Sequence, residues 1–123
     1  MLKRVLDVGQ CNPDHASISH FLASHFEVEI DRAHHLDDTI SKLRGQSYDL
    51  VLINRKLDVD HSDGIEILKY IKSDDILKET PVILISNYAD AQESAVAEGA
   101  LLGFGKAELG SPATKAKVMS ILG

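Results

Sequence analysis

Several side chains in this sequence are of types that do chemistry, and their spacing limits which chemistry. Ser86 and Lys106 each follow an apolar run, so a hydroxyl and an amine stand at the ends of two segments. Near helix N-termini such a pair attracts a small anion, or the lysine bonds Asn54 and loop carbonyls. Asp7 lies inside the run VLDV, where a carboxylate neutralises or finds a partner. A basic group at the strand rim is the expected partner, with Lys106 as one candidate. Asp58–Gly64 resembles a calcium loop, but its glycine is seventh and Lys69 stands where the bidentate glutamate belongs. A solvated acidic loop is expected there. His15, His20, His25, His34, His35 and His61 lack the i, i+4 spacing of a helical metal site, so no metal and no cofactor are expected. Cys11 falls near a helix start, where a thiol pKa can drop, but a small semi-buried filler is expected. Gly103-Phe104-Gly105 comes too late in the chain for a dinucleotide fingerprint. Nothing pairs a nucleophile with a base, so the chain does not read as an enzyme.

The elements that position these residues alternate. Val5–Val8 is a short apolar run broken by Asp7, and Asn12-Pro13 reads as an N-cap followed by the first helical position. Ile18, Phe21 and Leu22 share one helical face. Phe26–Ile30 alternates as a half-exposed strand, and Leu36, Ile40 and Leu43 mark a second helix closed by Gly45. Leu50–Ile53 and Val82–Ile85 are continuous apolar runs, as central parallel strands require. Helices are expected over Gly64–Lys72, with Ile65, Leu68 and Ile71 inward, and over Asp90–Glu98. A weak strand, Ala100–Phe104, precedes a last helix opened by Pro112 and carrying Ala116, Met119 and Leu122 inward. The order (βα)5 implies a flavodoxin-like, doubly wound α/β fold with a five-stranded parallel sheet in order 2-1-3-4-5. Function in such sheets sits at the carboxyl ends of the strands.

Residues 1–123 suit one domain with one core and no output domain. The formal charge of −6 disfavours phosphate-contact binding to nucleic acid and docking on an anionic membrane. No apolar run is long enough to span a bilayer, and the start lacks signal-peptide features. One cysteine cannot form an internal disulfide, so a cytoplasmic location is expected.

At its strand ends the chain resembles the response-regulator receiver (CheY-like) family. The likeness is carried by YDLVLIN (48–54), SDGIEILKYIKSD (62–74), TPVILIS (80–86) and EGALLGFGK (98–106). It implies two-component phosphorelay signalling, in which metal-assisted transfer places a phosphoryl group on an aspartate. The position of that aspartate falls on Asn54, and the positions of the magnesium-holding acidic pair on Gly9 and Gln10. Ser86 and Lys106 keep the phosphate-contact hydroxyl and amine. Gly103 replaces the switch aromatic, Ala107 the proline after the lysine, and the loop after Asn54 is longer than usual. Tyr88 could fill the space left by the aromatic. The four positions Gly9, Gln10, Asn54 and Lys106 sum to +1, which does not attract Mg²⁺. The resemblance therefore implies a pseudo-receiver: a phosphorylation-independent interaction module whose partner is a signalling kinase, a regulator or a second copy in a homodimer. The alternative is a small-anion or metabolite sensor at the vestigial pocket.

Overall fold

The computed structural model describes residues 2–123. Five parallel strands, β1 (Lys3–Val8), β2 (Val28–Ala33), β3 (Leu50–Asn54), β4 (Val82–Ile85) and β5 (Leu101–Phe104), form one sheet in the order β2-β1-β3-β4-β5. They alternate with α1 (Asn12–His25), α2 (Leu36–Gly45), α3 (Ile65–Ser73), α4 (Ala89–Ala97) and α5 (Pro112–Leu122). This is the doubly wound architecture expected from the alternation of apolar runs.

The pleat divides the core in two. Leu6, Val8, Val51 and Ile53 pack with Leu43 of α2, Ile67, Leu68 and Ile71 of α3, and Ala95 of α4. Val5, Leu50, Leu52, Ile83, Ile85 and Phe104 pack with Ile18, Phe21 and Leu22 of α1 and Val118 and Leu122 of α5. β3 and β4 are covered on both faces, which is why they read as unbroken apolar runs. Each such side chain contributes about 1.5–3 kcal/mol by leaving water.

Several details differ from expectation. β2 starts at Val28, because Phe26 caps α1 through its N–H to the Leu22 carbonyl. The N-cap of α1 is Cys11, and Asn12 is already helical. The inward face of α5 is Thr114, Val118 and Leu122, while Ala116 and Met119 point to solvent. That face follows i, i+4 geometry with a buried threonine, which apolar residues alone do not reveal.

Candidate functional site

A cleft of about 240 Å³ opens at the carboxyl ends of β3 and β4, lined by Asn54, Arg55, Lys56, Ile85, Ser86, Asn87, Tyr88 and Lys106. It gathers four of the residues singled out from sequence: Asn54, Ser86, Tyr88 and Lys106. Its lining carries three cationic side chains and no carboxylate.

Asn54 ends β3, half-buried. Its Nδ2 donates to the Gly9 carbonyl at 3.1 Å and to the Lys56 carbonyl at 2.7 Å. Both partners are acceptors, so the amide nitrogen must face them, and the side chain straps the β1–α1 loop to the loop after β3. Gly9 has φ +76°. A Cβ there would lie 2.5 Å from Leu57 Cδ2 and 3.2 Å from Leu57 Cα, so any side chain meets both a strained backbone and a collision. Gln10 is fully buried and is not among the residues that line the cleft. Ser86 is buried, and its Oγ accepts from the Tyr88 N–H at 3.1 Å.

Lys106 donates to Asp14 Oδ2 at 2.6 Å, and this bond is the main cause holding the Asp14 carboxyl below its ordinary value. Sequence reasoning passed over Asp14. The signal available was an acid in the first turn of α1, where the helix dipole favours it. Cys11 is exposed and lies 3.2 Å from the same Asp14 oxygen, so it is not the semi-buried filler expected. Lys106 thus pairs with Asp14 rather than with Asn54 or Asp7. Asp7 pairs instead with His15 of α1 at 2.6 Å, so its partner comes from a helix and not from the strand rim.

Gly103 is also not covered by Tyr88. The Tyr88 side chain is 59% exposed, and the Arg55 guanidinium lies 5.0 Å from its ring centroid. Gln92 of α4 takes the space instead. Its Oε1 accepts from the Gly103 N–H at 2.9 Å, and its Nε2 donates to the Leu84 and Ser86 carbonyls at 2.9 and 3.1 Å. A Cβ on residue 103 would come within 2.4 Å of Ile83 Cγ2 and 2.6 Å of the Leu84 carbonyl oxygen, so no aromatic fits this backbone.

The acidic loop satisfies itself. Asp58 meets His34 at 3.2 Å, Asp60 accepts from the Ser62 N–H and hydroxyl, and Asp63 pairs with Lys56. Among the described residues no group of three or more His, Cys, Asp or Glu side chains is arranged to hold a metal ion.

The response regulator receiver domain family matches residues 13–104. This chain belongs to that family. The receiver superposes on the signal receiver domain of a DNA-binding response regulator from Colwellia psychrerythraea 34H with a TM-score of 0.80, at 23% identity and covering 96% of each chain. A putative response regulator from Chloroflexus aurantiacus J-10-fl gives 0.78 at 16% identity, over 99% of this chain and 98% of that one. The phosphorylated cyanobacterial phytochrome response regulator RcpA gives 0.77 at 22% identity, over 99% and 95%. At these identities the likeness is one of fold. No curated protein matches the chain. Receivers are signalling modules rather than enzymes. Among the described residues of this one, no helix is long and apolar enough to cross a membrane.

Proposed function

We propose that this receiver works in two-component signalling without being phosphorylated, as a protein-interaction module. The observation that carries the reading is Asn54. A carboxamide offers no nucleophilic oxygen for an acyl phosphate, and its nitrogen is spent on the Gly9 and Lys56 carbonyls. A magnesium site does not fit the residues around it either. A hard dication of this kind is bound through carboxylates, whereas the cleft is lined by Arg55, Lys56 and Lys106. The nearby acids are engaged elsewhere: Asp7 with His15, Asp14 with Lys106 and Asp58 with His34.

An interaction role needs surface, and the side of the sheet bounded by α4, β5 and α5 supplies it. Val96, Leu101, Leu102 and Met119 are all exposed there, next to the open edge of β5. The partner is a signalling protein or a second copy of the chain. Incubation with acetyl phosphate and Mg²⁺, followed by intact-mass measurement, is expected to show no added phosphate. One acid-labile phosphate per chain would overturn the reading.

The positive lining of the cleft favours one competitor, a small-anion sensor. Lys56 and Lys106 are already paired with Asp63 and Asp14, which weakens that case. Millimolar phosphate or sulfate is accordingly expected to leave the melting temperature unchanged. A large upward shift would favour the sensor.

A further inference from the structure

β1 carries a charge where a sheet interior is normally apolar. Asp7 is fully buried, in register with Arg32 of β2 on one side and Leu52 of β3 on the other. A buried carboxylate is tolerated when its hydrogen bonds are complete, and here they are half complete. Oδ2 meets His15 Nδ1 at 2.6 Å. Asp7 Oδ1, both polar atoms of the Gln10 side chain and Arg32 Nε are buried without a hydrogen-bond partner among the described residues. Arg32 instead spends Nη2 on the Gln10 carbonyl at 2.8 Å. The charged groups facing Asp7 are thus His15 from α1 and Arg32 from β2, while β3 presents only Leu52 and the loop presents the uncharged Gln10.

This cluster lies at the base of the β1–α1 loop, which is strapped to the cleft residue Asn54. The Gly9 carbonyl accepts from Asn54 Nδ2 and from the Asp58 N–H at 3.0 Å. The Gln10 carbonyl accepts from Arg32, and Asp14, next to His15, holds Lys106. The far nitrogen of the imidazole, Nε2, lies 3.4 Å from Ser19 Oγ, so His15 is tied at both ends. A change of charge on Asp7 therefore acts on the base of the β1–α1 loop and on the first turn of α1 together.

We infer that Asp7 and His15 form a proton-operated latch on the β1–α1 loop. With Asp7 ionised, the imidazole N–H and the Arg32 guanidinium are drawn to it and the Gly9–Gln10 segment is held. When the carboxylate takes a proton from water, the charge-assisted bond is lost and the segment is released. This rests on the reading above, in which the receiver is not phosphorylated; the proton takes the place of that input. Desolvation pushes the Asp7 carboxyl up to about 6, against the opposing pull of His15 and Arg32. Burial thus costs the ionised, held form more than His15 and Arg32 return, so the releasing proton binds well above the ordinary aspartate range. For the chain as a whole, the stability that comes from protonated Asp7 is present at low pH and is lost as pH rises through about 6.

The test is an NMR titration of the intact chain from about pH 7.5 to about pH 4.5, reading the Asp7 carboxyl carbon and the Gly9 and Gln10 amides. The three signals are expected to move together with one midpoint near 6. Asp7→Asn is expected to abolish the amide step. His15→Gln is expected to shift the midpoint upward, because the imidazole favours the ionised carboxylate. Should Asp7→Asn fail to fold, the wild-type carboxyl trace and His15→Gln decide. A carboxyl carbon titrating in the ordinary aspartate range would overturn the latch, as would amides that still step in folded Asp7→Asn. Phosphate found by mass would sink the phosphorylation-independent reading and leave these traces as they are. Traces without the step would sink the latch and leave the mass result as it is.

Discussion

Replacing Gln92 with leucine is expected to lower the unfolding free energy by about 2–4 kcal/mol, one of the largest single-residue losses in this receiver. Leucine is close to glutamine in size, so the change removes polarity more than volume. Gln92 is buried in α4 and makes three hydrogen bonds with the backbone of the sheet. The Gly103 N–H would be left with no partner in a space closed to water, at a cost of about 1–3 kcal/mol for one buried donor. The Leu84 and Ser86 carbonyls would lose a donor each. Glutamate is the informative companion, since it can still accept from Gly103 but has no N–H for the two carbonyls, and it too should be destabilising. Denaturant melts of the three proteins check this. A Gln92→Leu variant within about 0.5 kcal/mol of the parent, the range of neutral surface changes, would mean that water or neighbouring groups replace the lost bonds. The same network bears on function. It pins α4 to β4 and β5 at Gly103, the position the family resemblance assigns to a switch aromatic, and so ties these elements together. Amide exchange at Gly103 should speed up in the leucine variant before global unfolding does.

The strands of this fold were readable because burial on both faces writes itself as unbroken apolar runs, as in Leu50–Ile53 and Val82–Ile85. Their order followed from handedness and from helices on both faces. Boundaries set by hydrogen bonds were less readable. The end of α1 at Phe26 and the cap at Cys11 depend on which N–H reaches which carbonyl. At the site, Asn54, Ser86 and Lys106 follow apolar runs that could be read as strands, whereas the pairings among charged side chains could not be read. Asp7 with His15 joins β1 to α1, and Lys106 with Asp14 bridges 92 residues of chain. Such contacts depend on how side chains converge once the sheet is formed, and local sequence carries no record of that. Gln92 illustrates the same limit. As one polar residue in an Ala-rich helix it reads as surface, and only the glycine opposite it, with no Cβ to intervene, lets its amide reach the sheet.

Asn54→Asp supplies an aspartate where the family resemblance puts the phosphoacceptor, yet it is expected to destabilise the protein by about 1–3 kcal/mol at neutral pH and to remain unphosphorylated. The Asn54 nitrogen lies 3.1 Å from the Gly9 carbonyl oxygen and 2.7 Å from the Lys56 carbonyl oxygen. A carboxylate has no hydrogen to put there, so an anionic oxygen would face two acceptors and the strap between the loops would become a repulsion. Rotation toward Lys106 relieves this only in part, because that ammonium already serves Asp14. Magnesium would be the natural remedy, since a cation between carboxylate and carbonyls reverses every sign. The remaining ligands are missing, however, and Gly9 cannot become an acid on its present backbone without meeting Leu57. Two measurements decide the matter. Urea melts with and without millimolar Mg²⁺ should show a loss that the metal does not recover, and acetyl phosphate should add no mass to the variant. Recovery of stability by Mg²⁺ together with one added phosphate would mean that a single amide separates this receiver from an active one, and that the charge balance of the cleft matters far less than its lining suggests.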